Sequence, residues 1–360
     1  MKRRELLVFA GQSNMMGACA CAPAQEVHIR DSWEYLHKGV QLGEEKGRFR
    51  RAGFPCGEFA YCDLNRAYPD GADFDTLSDL ADYRANTYFV PSMCNRKADD
   101  TLETEPFAVY SERSFTPGPA LPPYLAQEWE ALGHTCAYAH IAKGAVSILH
   151  YFDDEMLAEY HVWLEQKHPG HSFPRRTIND MCRGASACFA HKCRDFFRDC
   201  RERFAQEELG SRCLIWLQGE SDAMMSQTEY QTLLEVLWLR ARNIGFTHFF
   251  CLRVGFFGNE NILQVMKAQE QFCRDTPDAW MLTRASSLMP FAGHRSDWFL
   301  DQPGSEYQNC RDSFLGFANQ HINEKGFWLM ARRAAGNMER ILHNNEPPLL
   351  EAENIRGMLE

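Results

Sequence analysis

The sequence predicts an α/β fold in which a mostly parallel sheet lies between two layers of helices. The first observation behind this prediction is a set of short apolar runs that each end in a turn signal, as at residues 6–10 and 213–217. Such runs are typical of strands buried on both faces of a parallel sheet. The second observation is that segments with helical periodicity alternate with these strands, which favours parallel connections.

The first strand is predicted over residues 6–10, and it ends in the turn Gly11-Gln12-Ser13-Asn14. Gly11 allows the backbone to turn sharply, so that Ser13 comes to the carboxyl edge of the sheet, where open α/β folds bind their ligands. There the Ser13 hydroxyl can face a substrate. Gly, Ser and Asn are also common residues of ordinary turns, and on this stretch alone that alternative stays open.

The next segment, residues 18–116, is rich in Gly, Asp, Arg and aromatic residues, and we interpret it as a long insertion that packs beside the site. The later elements then follow in order: a helix from residue 121 to Gly133, strand 136–142, a Cys- and Phe-faced helix within 178–207, strand 213–217, helix 228–243, strand 249–254, helix 262–274, strand 280–283 and helix 323–342. We predict one domain over residues 1–345, followed by a C-terminal tail at residues 346–360.

The composition is that of an ordinary globular protein, since 45% of the 360 residues are hydrophobic and 24% are charged. A net charge of −11 argues against nucleic acid or an anionic membrane surface as the main partner. The apolar run after the basic start is too short for a signal peptide or a membrane span, so we expect a cytoplasmic protein. In that compartment we expect the 14 cysteines to be mostly reduced, with Cys182, Cys193 and Cys200 on the buried face of one helix.

Three turns follow predicted strands, and in a parallel sheet all three lie at the same edge. They are residues 11–14, 143–145 and 218–222, and His321 comes shortly before the closing helix. Together these segments provide a hydroxyl, backbone N–H donors, side-chain amides, carboxylates and an imidazole. This set of groups is the one that acyl transfer through a serine ester requires.

These motifs resemble those of the SGNH hydrolases, and within them the branch of sialate O-acetylesterases and acetylxylan esterases of carbohydrate esterase family six. The resemblance implies a flavodoxin-like α/β/α sandwich and a serine esterase that removes O-acetyl groups from a carbohydrate through an acetyl-serine intermediate, without a metal or an organic cofactor. The matching pieces stand in the family's order: GQSNM at 11–15, GPA at 118–120, KGAVSI at 143–148, QGESD at 218–222, and His321 with Gly326.

The resemblance also implies roles for single residues. Ser13 is the nucleophile, and His321 is the general base that takes its proton and later activates water. The oxyanion hole consists of the backbone N–H groups of Ser13 and Gly144 and the side-chain amide of Gln218. The predicted substrate-binding residues beside the nucleophile are Gln12 and Asn14.

One departure from the family concerns the carboxylate that orients the imidazole. Many members have an Asp three residues before the catalytic His, and here that position is Ala318. Some acetylxylan esterases of the family use the Glu of the QGE turn, so we predict Glu220 as the third member of the triad with Ser13 and His321. Asp222 is the runner-up, and Asp312 is a more distant alternative.

Ala318 also motivates a second hypothesis, a non-catalytic carbohydrate-binding or scaffold protein that keeps this fold. A third hypothesis is an esterase that acts on a non-sugar acyl ester. These hypotheses differ in whether Ser13 is acylated and in which alcohol leaves, so they are separable by experiment.

Overall fold

The computed structural model describes residues 3–16, 27–36, 48–52, 120–142, 146–178, 185–255, 261–288, 322 and 324–351. Seven strands of this part of the chain form one sheet in the order β3-β2-β4-β1-β5-β6-β7. The pair β2–β3 is antiparallel, and every other neighbouring pair is parallel. The strands are β1 (Arg3–Gly11), β2 (Trp33–Leu36), β3 (Arg48–Arg51), β4 (Thr135–Ala142), β5 (Glu208–Leu217), β6 (His248–Leu252) and β7 (Ala279–Thr283).

Helices cover both faces of this sheet. The helices of the described residues are α1 (Ser13–Met16), α2 (Leu121–Ala131), α3 (Asp154–Lys167), α4 (Ala185–Arg203), α5 (Gln227–Ile244), α6 (Ile262–Asp275), α7 (Ala285–Leu288) and α8 (Glu324–Leu342). Helix α2 packs against α8, while α5 packs against α3, α4 and α6. The predicted three-layer architecture with a mostly parallel sheet is therefore confirmed. Within the described ranges, no helix combines the length and the apolar character that a membrane crossing needs.

The strand β1 lies between β4 and β5, and its side chains from Leu6 to Ala10 are at most 1% exposed. Both faces of the strand are covered, which explains why its sequence is a continuous apolar run rather than an alternating one. Gly11 pairs with Ala142 on one side and with Leu217 on the other. The three strands therefore end at the same level, and the segments that follow them leave from one edge of the sheet.

The predicted insertion at residues 18–116 contains two strands of the sheet. Strand β2 pairs in parallel with β4, and β3 pairs with β2 at the outer edge. Without these two strands, the remaining order β4-β1-β5-β6-β7 is the flavodoxin-like order that the resemblance implied. Both added strands have only four residues and mix charged with apolar side chains, so neither gives the apolar run by which the other strands were predicted.

The start of the predicted C-terminal tail packs against the end of β7. The carboxylate of Glu351 accepts hydrogen bonds from the Thr283 hydroxyl at 2.5 Å and from the Arg284 backbone N–H at 2.7 Å. Glu351 is only 8% exposed. Glu351 thus anchors the chain beyond the closing helix to the end of β7. The division into one domain and a tail at residue 345 stays a prediction.

Two of the three cysteines predicted on one helix face are buried on α4 as expected. Cys193 and Cys200 are free thiols with no exposure, and burial raises the pKa of the Cys200 thiol well above its ordinary value. Both thiols therefore act as small apolar groups in the core. Cys182 lies outside the described residues.

Replacement of Gly11 tests the close approach of β1 to β5. Gly11 has φ +154°, and a Cβ atom there would lie 2.0 Å from the backbone oxygen of Leu217. Gly11→Ala should lower the free energy of unfolding by more than about 2 kcal/mol, as measured by urea denaturation.

A matched control is Gly336→Ala within α8, where a Cβ meets no atom within 4 Å. This change should raise the free energy of unfolding by up to about 1 kcal/mol, because Ala favours helix interiors over Gly. Equal effects of the two substitutions would contradict the described strand contact.

Candidate active site

Ser13 begins helix α1 directly beyond the carboxyl end of β1, and it is half-buried. The turn before it is held by the Tyr151 hydroxyl, which accepts from the Gly11 N–H at 3.0 Å and donates to the Gly11 carbonyl at 2.8 Å. The Gln12 N–H then donates to the Leu217 carbonyl of β5 at 3.1 Å. The backbone that leads to the predicted nucleophile is thus tied to β5 and to the segment after β4.

His140 supports the other end of the same short helix. It is fully buried on β4, and its Nε2 lies 2.8 Å from the Met15 carbonyl oxygen. Burial lowers the pKa of His140 to about 4, so the imidazole is neutral at pH 7 and donates this hydrogen bond through Nε2–H. His140 is not among the residues predicted for the site, although a His inside an apolar strand is a signal that could have identified it.

Asn14 connects three segments that are far apart in the chain. Its Nδ2 donates to Glu220 Oε1 at 2.8 Å, and its Oδ1 accepts from the backbone N–H of Ile322 at 3.0 Å. The structure therefore brings the turn after β1 together with the turn after β5 and with residue 322. His321 itself lies outside the described residues, and its role as general base stays a prediction.

Among the described residues, hydrogen-bond donors reach one oxygen of the Glu220 carboxylate. Oε1 accepts from Asn14, whereas Oε2 is buried and meets no hydrogen-bond donor among the described residues. Burial raises the pKa of Glu220 from its ordinary value of 4.5 to about 7, and the nearby carboxylate of Asp222 raises it as well. Hydrogen bonds from Asn14 and from the backbone N–H groups of Glu220 and Gly219 act in the opposite direction, because they favour the charged form. A carboxylate with one open oxygen and a near-neutral pKa suits a partner that becomes positively charged.

Gln218 lies in the core of the turn after β5 and has no exposed surface. Its Nε2 is 2.9 Å from the Val146 carbonyl, 2.6 Å from Asp222 Oδ2 and 3.2 Å from Gln12 Oε1. Its Oε1 accepts from the Tyr230 hydroxyl at 2.6 Å. The amide hydrogens thus already face acceptors of the protein. The predicted oxyanion-hole role stays a prediction, and it requires one hydrogen to leave its acceptor.

Asp222 holds the segment after β4 against the turn after β5. Its Oδ2 accepts from the backbone N–H of Ile148 at 2.7 Å and from Gln218 Nε2 at 2.6 Å. Burial raises the pKa of Asp222, while hydrogen bonds from Ser147, Gln218 and Ile148 lower it. These contacts make Asp222 a structural link next to the predicted site, and its runner-up role as the acid stays untested.

Gln12 contacts the protein as well. Its Oε1 accepts from Gln218 Nε2 at 3.2 Å and from the backbone N–H of Ser221 at 3.3 Å, and the residue is 3% exposed. Its predicted role in substrate binding is not tested by these contacts. Gly144, Asp312 and Ala318 lie outside the described residues, so the predicted backbone donor of Gly144 and the alternative acid at Asp312 also stay predictions.

Fold and site together define an α/β protein whose polar turns meet at the carboxyl edge of β1 and β5. The chain is similar to the crystal structure of NanS, with 12% sequence identity, coverage of 95% of this chain and 98% of that chain, and a TM-score of 0.50. This likeness shows a shared fold. No family model and no curated protein matches the sequence.

Two further solved structures are similar at lower TM-scores. XAC1771, a novel carbohydrate acetylesterase from Xanthomonas citri, has 11% identity and a TM-score of 0.47, with coverage of 95% of this chain and 57% of that chain. The protein AT4G34215 from Arabidopsis thaliana has 14% identity and a TM-score of 0.40, with coverage of 92% and 96%.

The raised pKa of Glu220 predicts how stability depends on pH. The native state holds this proton up to about pH 7, whereas the unfolded chain loses it near the ordinary value of 4.5. The contribution of this bound proton to the free energy of unfolding is therefore fully present below the unfolded pKa of 4.5, and it is lost as the pH rises through 7. At pH 8 the buried charge costs up to about 3 kcal/mol.

Glu220→Gln removes this charge, so its free energy of unfolding relative to the native sequence should be higher at pH 8 than at pH 4. Urea denaturation of both proteins at the two pH values measures the difference. Glu165→Gln serves as the control, because it makes the same change of residue type at an exposed position. A difference for Glu220→Gln that is constant with pH would contradict the assignment of a raised pKa.

Proposed function

We propose that this chain is a serine esterase of the SGNH hydrolase type that removes O-acetyl groups from a carbohydrate. The observation that carries the proposal is the hydrogen bond of 2.8 Å between Asn14 Nδ2 and Glu220 Oε1. It brings the turn that bears Ser13 together with the predicted acid, as a Ser-His-Glu triad requires. The order of the motifs and the fold shared with NanS support the same proposal.

In the proposed reaction, Ser13 Oγ attacks the carbonyl carbon of the acetyl ester while His321 accepts the hydroxyl proton. The tetrahedral intermediate collapses when the sugar oxygen leaves with the proton from His321, and an acetyl ester remains on Ser13. Water then attacks this ester and gives a proton to His321, and acetate is released as Ser13 regains its proton. The cycle needs the nucleophile, the base and donors to the oxyanion.

Glu220 serves in this proposal as the partner of the imidazole. Its Oε2 is the buried oxygen that lacks a donor among the described residues. The backbone N–H of Ile322, which follows His321 in the chain, is bound to Asn14 at 3.0 Å, and Asn14 also holds Glu220. A buried carboxylate favours the imidazolium that forms during the reaction, because the two opposite charges offset each other's desolvation.

The proposed oxyanion hole uses the backbone N–H groups of Ser13 and Gly144, with the Gln218 amide as a third donor. Ser13 begins α1, where backbone N–H groups lack partners within the helix. The proposed partner of the site is an acetylated carbohydrate rather than nucleic acid or a membrane surface, since the net charge is −11. A cytoplasmic location is part of the same proposal.

Replacement of Ser13 tests the proposed nucleophile. Ser13→Ala should lower kcat/KM for acetate release from 4-nitrophenyl acetate and from acetylated sugars by at least about 1,000-fold. The exposed Ser172→Ala should leave the rate unchanged. The proposal would be overturned if Ser13→Ala still releases acetate at the native rate. It would also be overturned if the native protein releases no acetate from a broad panel of acetylated sugars.

The pH profile tests the base and its partner together. The kcat/KM value should fall below about pH 6.5, because His321 then becomes protonated before it can act as a base. Glu220→Gln removes the carboxylate that offsets the charge of the imidazolium, so the plateau of kcat/KM should fall. A plateau that does not fall would contradict contact between Glu220 and the base, and a profile flat down to pH 5 would exclude His321 as the base.

A further inference from the structure

We infer that Asn14 is a positioning residue that holds the acid of the site in register with the segment that carries the base. The resemblance assigned Asn14 to substrate binding, and the contacts point to a different role. The inference rests on the proposed function, which it deepens by naming the residue that aligns two members of the triad.

The first support is that the amide of Asn14 is engaged at both ends within the protein. The residue is 2% exposed, its Nδ2 donates to Glu220 Oε1 at 2.8 Å, and its Oδ1 accepts from Ile322 N–H at 3.0 Å. A backbone N–H can only donate, so the atom that faces Ile322 must be the amide oxygen. The nitrogen then faces the carboxylate. The donor and acceptor roles of the two partners therefore determine the orientation of the amide.

The second support is the position of these contacts along the chain. Asn14 follows the predicted nucleophile Ser13, and Ile322 follows the predicted base His321. One planar amide therefore fixes the acid relative to the residue beyond the nucleophile and to the residue beyond the base. The two contacts span 206 and 308 positions of sequence, so no local turn could supply the same constraint.

The third support comes from the groups that act on the Glu220 carboxylate. Burial and the neighbouring Asp222 carboxylate oppose its charge, while the Asn14 hydrogen bond and those from the backbone N–H groups of Glu220 and Gly219 favour it. His321 is the further titratable group that the proposed function brings to Glu220. Loss of the Asn14 donor should release Glu220 from its orientation and raise its pKa, so that less of the acid is charged at neutral pH.

Two variants separate the contacts of Asn14 with Glu220 and with Ile322. Asn14→Ala removes both of them, and Asn14→Asp keeps an oxygen for the Ile322 N–H but replaces the donor to Glu220 by a second acid. For a positioning role, Asn14→Ala should lower kcat by about 100-fold with KM changed less than about threefold, because misalignment affects the reaction more than substrate binding. Asn14→Asp should be impaired likewise.

The matched control is Asn337→Ala. Asn337 is 4% exposed, and its amide also bonds two distant segments, through the Leu282 carbonyl at 2.7 Å and the Leu349 N–H at 2.7 Å. This variant should lose stability while its kcat, KM and pH profile stay unchanged. A raised KM with unchanged kcat for Asn14→Ala would indicate that Asn14 binds substrate, and it would overturn the inference. An effect on stability alone, like the one expected for Asn337→Ala, would overturn it as well.

A titration that needs no activity keeps this test separate from that of the proposed function. The carboxyl groups of Glu are labelled with ¹³C, and Glu220 is followed by NMR in the Ser13→Ala protein and in the same protein with Asn14→Asp or Asn14→Ala. The pKa of Glu220 should rise in both double variants. An unchanged pKa overturns the positioning role, whether or not the native protein releases acetate.

Discussion

The parallel pairing of β1 with both β4 and β5 is the constraint on which the site depends. Gly11 pairs with Ala142 and with Leu217, so three chain segments leave the sheet at the same level. The side chains of β1 from Leu6 to Ala10 are apolar and buried on both faces of the sheet, and the free energy of their burial fixes this register. A slip of one residue would turn every side chain of β1 to the other face and would separate the turn of Ser13 from that of Glu220.

The polar side chains at this edge of the sheet are buried, so they form hydrogen bonds with one another instead of with water. Gln218 and Asp222 are at most 2% exposed, and their side chains bond to each other and to the segment after β4. Glu220 is the exception, because one of its oxygens has no donor among the described residues. A buried polar network with one unsatisfied acceptor is costly, and such costs are often found at functional sites. In the proposed mechanism the imidazole supplies the missing partner.

The sequence predicted those strands whose apolar residues are buried on both faces of the sheet. Continuous apolar runs predicted β1, β4 and β5, and the GQSN and QGESD turns predicted which residues meet beyond them. The short strands β2 and β3 were missed, because each has only four residues and its charged residues interrupt any apolar run. His140 and Tyr151 were missed for another reason. Each supports the Ser13 turn through hydrogen bonds over a long sequence separation, and the sequence does not specify the partner of such a bond.

The residue types of the site were predictable, while their individual tasks were not. An amide can bind substrate, complete an oxyanion hole or link two protein segments with the same two kinds of atom. Asn14 and Gln218 were assigned to the first two tasks, and the described contacts engage both amides within the protein. The task of each amide could not be predicted from the sequence, because it depends on which neighbours the fold brings within hydrogen-bond distance.

The most direct test of the central claim is mass spectrometry of the protein after rapid acid quench during turnover of 4-nitrophenyl acetate. The account predicts a mass increase of one acetyl group, located on the peptide that contains Ser13 and absent from Ser13→Ala. Acetate release with no such adduct under conditions that trap it in a known serine esterase, or an acetyl group located on a different catalytic residue, would contradict the account.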